Sequence, residues 1–214
     1  MIKGIIFDLD GTLLNTIDDL NNSVNDTYAH FGVDKKNTCE ETMALVGHGM
    51  RNLMIQMFPG KDEAFIEDAL KVFLDAYDRQ YACCTKPYEG ITELVDELIK
   101  RGCKVGINSN KNHNYTIHLI NSNFPEVEDD YITGVKSGDK IKPDPTNVND
   151  VIEKMGLNKE EVLYVGDSPT DYKTAENAGV RFIGVSWGYR SKEKIMAAGA
   201  ETVIDRPEEL LEYC

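Results

Sequence analysis

The stretch that decides the fold is IIFDLDGTLL, residues 5–14, close to the start of the chain. Its first three residues are β-branched or aromatic and are too few for a core helix, so they predict a buried strand. Asp8 and Asp10 follow at the C-terminal end of this strand. The two-residue period points both carboxylates to the same side, and Gly11 allows a sharp turn just after them. Because like charges repel, this pattern predicts either a cation between the two carboxylates or protonation of one of them.

Two other interpretations of the D-x-D-G pattern need to be considered. One is a solvated turn after an ordinary strand, which a short motif alone leaves open. The other is a calcium loop of the EF-hand type. The sequence argues against that loop, because Asp19 replaces the last ligand Glu and a strand replaces the entering helix.

The composition limits the possible partners. The chain has 214 residues and a formal net charge of −14, which argues against nucleic acid and anionic membranes as partners, since both require a basic surface. No stretch approaches the roughly 20 apolar residues of a membrane span, and because the first strand begins so early we expect no signal peptide. The five cysteines show no C-x-x-C spacing, so we expect neither a disulfide framework nor a zinc site, and we expect a cytoplasmic protein.

The rest of the chain predicts an α/β fold with a helical insertion. Residues 16–85 show apolar spacing typical of helices and no strand pattern. From Pro87 onward helices and strands alternate, which predicts a Rossmann-like doubly wound parallel sheet. We therefore predict an α/β core of residues 1–15 plus 86–214 and a small α-helical domain of residues 16–85. The predicted strands after the insertion cover 104–108, 131–135, 162–165, 180–185 and 202–204, and the helices between them cover 88–101, 112–121, 147–155, 172–177 and 192–198.

Polar residues follow several of these strands. In an open parallel sheet, ligands bind at the carboxyl ends of the strands, where Ser109, Lys142 and Asp167 to Asp171 are expected. Each has an ordinary alternative interpretation. Ser109 could cap the helix that follows it, Lys142 could be an exposed loop lysine, and Asp171 could be a carboxylate placed by a helix dipole.

Taken together, these segments resemble the haloacid dehalogenase superfamily. The four ordered motifs of that superfamily have matches in D-x-D-G-T (Asp8 to Thr12), in Ser109 after an apolar strand, in Lys142 before a helix, and in G-D-x-x-x-D (Gly166 to Asp171). The resemblance spans nearly the whole chain. It implies a core domain with a catalytic site and identifies the helical insertion as a small α-helical cap. It also implies cap movement about hinges near residues 15–16 and 85–87.

The resemblance implies a Mg²⁺-dependent phosphatase that works through an aspartyl-phosphate intermediate. Asp8 would be the nucleophile, and Asp10 would act as general acid and then general base. The implied ligands of Mg²⁺ are Asp8, the backbone carbonyl of Asp10, and Asp167. Ser109 and Lys142 would contact the phosphoryl oxygens. The implied supporting residues are Asp171 and Asn110.

The substrate implied by the resemblance is a small phosphorylated metabolite. Dehalogenases of this superfamily lack an acid at the position of Asp10, and residues 17–20 lack the lysine of the phosphonate-cleaving members, so phosphatase and phosphomutase remain. The segments 46–51 (VGHGMR), 186–190 (SWGYR) and 200–205 (AETVID) resemble phosphoglycolate phosphatases. Asn15 departs from the acidic residue common in that family.

The cap segment 46–51 supplies two candidate substrate contacts, Arg51 and His48. Arg51 could bind a substrate carboxylate or simply face water. The alternatives for the function are a β-phosphoglucomutase-like sugar phosphomutase and a phosphatase for another small metabolite, a nucleotide or pyrophosphate. The sequence does not predict the oligomeric state.

Overall fold

The computed structural model describes residues 1–136, 138 and 140–214, which form two compact units. One unit comprises Met1–Asn15 and Pro87–Cys214, and the other comprises Thr16–Lys86. Within the described part of the chain, each helix is too short or too polar to cross a lipid bilayer.

The secondary structure alternates between strands and helices outside the helical unit. The strands are β1 (Gly4–Phe7), β2 (Leu14–Asn15), β3 (Lys86–Pro87), β4 (Lys104–Asn112), β5 (Ile132–Val135), β6 (Val162–Gly166), β7 (Arg181–Val185) and β8 (Val203–Ile204). The helices are α1 (Ile17–His30), α2 (Cys39–Leu45), α3 (Met50–Met57), α4 (Glu63–Asp78), α5 (Ile91–Lys100), α6 (His113–Asn123), α7 (Thr146–Met155), α8 (Pro169–Ala178) and α9 (Lys192–Ala197).

The larger unit is built on a six-stranded sheet with the order β5-β4-β1-β6-β7-β8. All the strand pairs described in this sheet are parallel, so the predicted α/β fold with a doubly wound parallel sheet is confirmed. The three apolar residues of β1 that precede Asp8 are fully buried, as expected for a central strand covered on both faces.

The position of β1 determines where a ligand can bind. The chain extends the sheet from β1 through β4 to β5 on one side, and through β6, β7 and β8 on the other. This is a topological switch point, and the crevice outside the carboxyl ends of β1, β4 and β6 is the expected ligand site of such a sheet.

Two elements that carry residues of the candidate site, β4 and α8, differ in extent from the sequence-based predictions. Strand β4 continues to Asn112 instead of ending at residue 108, and its pairing with β5 is irregular between Asn108 and Asn112. Helix α8 begins at Pro169 instead of residue 172. Ser168 caps this helix by accepting a hydrogen bond from the backbone N–H of Asp171, and proline is well tolerated in a first helical turn.

The smaller unit contains helices α1 to α4. Helix α2 begins with a capping box, in which Thr38 and Glu41 each bond the other's backbone N–H, and Asp62 caps α4 through the N–H of Phe65. An aromatic cluster packs between these helices and consists of Tyr28, Phe31, Phe58 and Phe65.

Candidate active site

Three buried carboxylates converge at the carboxyl end of the sheet. Asp8 follows β1 directly and its backbone N–H donates to the carbonyl of Val165 at 2.9 Å, which joins the ends of β1 and β6. One carboxylate oxygen from each of Asp8, Asp167 and Asp171 lies within 4.8 Å of the other two, and all three residues are buried. The interpretation of D-x-D-G as a solvated turn is therefore wrong.

Lys142 binds two of these carboxylates. Its Nζ lies 2.5 Å from Asp8 Oδ1 and 2.7 Å from Asp171 Oδ1, and the residue is only 6% exposed. The interpretation of Lys142 as an exposed loop lysine is therefore wrong. Asn110 holds the lysine backbone from both sides, because its Oδ1 accepts from Lys142 N at 2.7 Å and its Nδ2 donates to Lys142 O at 3.3 Å.

Asp171 lies in the first turn of α8 and is held by neighbours from two elements. Its Oδ2 accepts a hydrogen bond from Ser168 Oγ at 2.5 Å, and its Oδ1 accepts one from the buried Tyr164 hydroxyl of β6 at 3.4 Å. A methyl group on Gly166 would lie 2.4 Å from Asp171 Cβ, so α8 approaches β6 closely here. Asp171 thus lies both in the first turn of α8 and in the carboxylate cluster. Its partner Tyr164 was not identified from the sequence.

Asp167 is enclosed by backbone. The N–H of Tyr189 donates to its Oδ2. A Cβ on Gly11, which has φ +88°, would lie 2.4 Å from that oxygen, and a Cβ on Gly188 would lie 2.3 Å from Asp167 Cβ. Only glycine fits at these two positions, so the backbone of the first motif and of segment 186–190 together shape the space around this carboxylate.

The end of β4 supplies Ser109 and a residue that the sequence-based analysis missed. Ser109 is buried, and its Oγ accepts the backbone N–H of Lys111 at 3.1 Å. It does not cap α6, since Asn112 does so through the N–H of Asn114. The Nζ of Lys111 lies 2.8 Å from Asp10 Oδ1. The two-residue strand period places Lys111 on the side of Ser109, which was an available signal once β4 extended that far.

The charges of the cluster strongly perturb one another. Burial, followed by the negative charge of Asp171, raises the pKa of Asp8 well above its usual range. The same two causes raise the pKa of Asp167 to about 7. Burial alone would lower the pKa of Lys142, but Asp171 and Asp8 outweigh it and keep the ammonium charged.

These residues fit a hard divalent cation. The cluster offers carboxylate oxygens from Asp8, Asp167 and Asp171. The other carboxylate of the first motif, Asp10, lies two residues after Asp8. Burial and the charge of Asp171 raise the pKa values of Asp8 and Asp167, and a bound cation would favour the ionised form of both. Oxygen donors in a negatively charged, buried group are the ligand set that Mg²⁺ prefers.

The two candidate substrate contacts belong to the helical unit. Arg51, at the start of α3, forms ion pairs with Glu63 and with Glu67 of α4, the latter at 3.0 Å. His48 lies in the turn before α3 and is exposed. A role for either residue in substrate binding stays a prediction.

Comparison with known proteins identifies relatives over nearly the whole chain. The family model described as haloacid dehalogenase-like hydrolase matches residues 5–185. A phosphoglycolate phosphatase of Rhodospirillum rubrum is 31% identical, covering 96% of this chain and 88% of that protein. A phosphoglycolate phosphatase of Agrobacterium fabrum is 33% identical, covering 86% of this chain and 80% of that protein.

A solved structure gives the same result for the fold. A protein from Lactobacillus delbrueckii subsp. bulgaricus, inferred to be a phosphoglycolate phosphatase, superposes with a TM-score of 0.92 at 27% identity. The alignment covers 99% of this chain and 97% of that one.

Proposed function

Because this chain belongs to the haloacid dehalogenase-like hydrolase family and is a phosphoric monoester hydrolase, we propose that it is a Mg²⁺-dependent phosphatase that forms an aspartyl-phosphate on Asp8. The observation that carries the proposal is the convergence of Asp8, Asp167 and Asp171 within 4.8 Å of one another beside Lys142. These groups come from three separate segments, around residues 8, 142 and 167–171, so ordinary loop composition does not account for them.

The proposed chemistry divides between the two carboxylates of the first motif. Asp8 attacks phosphorus, and Lys142, bonded to its Oδ1, orients that carboxylate and offsets negative charge at the phosphoryl group. Asp10 gives a proton to the departing oxygen and then takes one from the water that hydrolyses the intermediate. Ser109, buried at the end of β4, offers a hydroxyl to a phosphoryl oxygen.

The residues that would hold Mg²⁺ are Asp8, the backbone carbonyl of Asp10, and Asp167. When bound, the ion supplies positive charge opposite the phosphoryl oxygens. Asp171 serves as a supporting residue, because its two oxygens already accept from Lys142 and Ser168. Asn110 supports the site from the other side by holding the Lys142 backbone.

The proposed substrate is a small cytoplasmic phosphomonoester, with 2-phosphoglycolate first. Support comes from the relatives that are named phosphoglycolate phosphatases and that align along nearly the whole chain. The five free cysteines are in keeping with a reducing compartment. We propose Arg51 and His48 as contacts for the part of the substrate that distinguishes one ester from another.

The test is phosphate release by the purified protein from a panel of small phosphate esters that includes 2-phosphoglycolate, with and without Mg²⁺. Turnover that requires Mg²⁺ and falls by more than about 10³-fold in Asp8→Asn supports the proposal. Asp96→Asn is the matched control, since this carboxylate is exposed on α5. Undiminished turnover by Asp8→Asn would refute the assignment of the nucleophile, and conversion of sugar phosphates without phosphate release would identify a mutase.

A further inference from the structure

Lys111 and Asp10 form an ion pair inside the candidate site. The Lys111 side chain is 2% exposed, the Asp10 side chain is 22% exposed, and Lys111 Nζ lies 2.8 Å from Asp10 Oδ1. A buried ammonium is costly unless a carboxylate compensates for the lost hydration. Lys111 and Asp10 therefore compensate each other's charge inside the candidate site.

The backbone delivers Lys111 from the strand next to Asp10. Strand β4 pairs in parallel with β1, and its last residues run past the point where β1 ends. The backbone N–H of Lys111 donates to the Ser109 hydroxyl, and this bond fixes the backbone of β4 at Lys111. Lys111 thus lies on a strand and not on a loop, and a strand holds a functional side chain in a defined position.

The two buried lysines serve different carboxylates. Lys142 bonds Asp8 and Asp171, whereas Lys111 bonds Asp10. Under the proposed mechanism, Asp8 is the group that attacks and Asp10 is the group that carries the proton. Each lysine is thereby matched to one of the two chemical roles.

We propose that Lys111 is a positioning residue for Asp10, which it holds in the orientation needed for proton transfer. This inference rests on the proposed function. Lys111 holds Oδ1, and the transferred proton is assigned to Oδ2. As the Asp8 oxygen bonds to phosphorus and the ester P–O bond breaks, that proton passes from Asp10 to the leaving oxygen. When water then breaks the bond between phosphorus and Asp8, its proton returns to Asp10, and Lys111 keeps its own protons throughout.

The leaving group distinguishes this role from direct binding of the phosphoryl group. An alkyl phosphate needs a proton on its departing oxygen, whereas p-nitrophenyl phosphate leaves as a stable phenolate and does not. In Lys111→Met, kcat/KM for an alkyl phosphomonoester is expected to fall about 10- to 100-fold, the usual effect of losing an orienting partner. The kcat/KM for p-nitrophenyl phosphate is expected to change less than about threefold.

Matched variants complete the experiment. Lys142→Met removes the ammonium group that bonds the nucleophile Asp8. It is expected to lower kcat/KM for the two esters by similar factors. Lys111→Arg keeps the charge and is expected to retain more alkyl ester activity than Lys111→Met. In an Asp10→Asn background, Lys111→Met is expected to lower kcat/KM for the alkyl ester by less than about a further twofold, because the two residues act as a unit.

Three results would overturn the inference: an equal loss on both esters in Lys111→Met, a loss confined to KM, or additive effects with Asp10→Asn. If Lys111→Met does not fold, the same two esters are compared in Lys111→Arg. A smaller loss of kcat/KM, confined to the alkyl ester, is then expected. An equal loss on both esters would contradict the inference. Activity retained by Asp8→Asn would refute the proposed function instead, so the two failures are distinguishable.

Discussion

Lys142 is the residue on which the buried charges of the candidate site depend most directly. It is 6% exposed and bonds Asp8 and Asp171, so its ammonium compensates two carboxylates that have little access to water. Removing one member of such a group leaves the others buried and without their counterion. The stability of the metal-free protein and the orientation of Asp8 therefore depend on the same side chain.

Replacing Lys142 tests this dependence. In Lys142→Met we expect the free energy of unfolding, measured by urea denaturation in EDTA, to fall by about 3 kcal/mol. The control is Lys140→Met, since Lys140 has a 70% exposed side chain and an exposed ion pair worth less than about 1 kcal/mol. Equal free energies of unfolding for the two variants would show that the buried ion pairs of Lys142 make no net contribution to stability.

Gly11 provides a second test at the residue scale. In Gly11→Ala the new methyl group meets Asp167 Oδ2 at 2.4 Å, and the residue must also keep φ near +88°. We expect phosphatase turnover to fall at least about tenfold. Gly102→Ala is the matched control, because Gly102 has φ +80° and open space around its Cβ position. It should lose about 1 kcal/mol of stability and keep its turnover, and equal turnover by both variants would contradict the packing argument.

How well single residues can be predicted depends on how local their signal is. Asp8 and Asp10 are predictable because an apolar strand leads into them within a few residues. Lys142 lies 134 residues from Asp8, and no local pattern marks it, so it depended on the resemblance of four ordered motifs. Lys111 was missed because the predicted strand ended at residue 108, which left its side chain without a predicted direction.

At the scale of elements, Asp19 of α1 fixes the chain segment that ends the helical unit. The residue is fully buried. Its carboxylate accepts the backbone N–H groups of Cys84 and Thr85 and the Thr85 hydroxyl, at distances between 2.8 and 3.0 Å. Three donors of this segment converge on one buried side chain, so Asp19 anchors residues 84–85 to the first helix of the unit.

Removing this anchor should loosen the segment. In Asp19→Ala we expect amide hydrogen exchange at Cys84 and Thr85 to accelerate by about 30-fold or more, which corresponds to a loss of about 2 kcal/mol. Asp75→Ala on the exposed face of α4 is the control and should leave these two amides unchanged. Unaltered exchange in Asp19→Ala would mean that other contacts hold the segment.

The short strands β2 and β3 were not predicted; for the larger elements the order and type were predictable, and their ends were less so. The pattern of apolar runs and glycine stops indicated a doubly wound parallel sheet, as found. The start of α8 was misplaced because Ser168 and Pro169 were treated as loop, although a serine cap followed by proline is a helix start signal. The end of β4 was misplaced because Ser109 to Asn112 are polar, and their strand geometry depends on pairing with β5.

At the scale of the whole molecule, the net charge of −14 opposes the approach of an anionic ester. The local cations Lys111 and Lys142 are bonded to carboxylates of the site, so they do not by themselves make it electropositive. A divalent cation held by Asp8 and Asp167 would supply the missing positive charge. Metal binding and substrate binding are thus expected to be linked.

Mg²⁺ binding should therefore stabilise the folded protein without any substrate. At a concentration about 100 times its dissociation constant, the gain expected is about 2.7 kcal/mol, read as a rise in melting temperature. Asp167→Asn should abolish most of this rise, and Asp96→Asn should retain it. An equal rise in both variants would place the metal elsewhere.

The most direct test of the account is chemical trapping of the intermediate. The protein is mixed with the ester that it turns over fastest, quenched in acid during turnover, and treated with borohydride, which reduces an acyl phosphate to an alcohol and spares free carboxylates. Peptide mass spectrometry is expected to find homoserine in place of Asp8, and only when substrate was present. Intact Asp8 with reduction at a different carboxylate, while phosphate is released, would contradict the account.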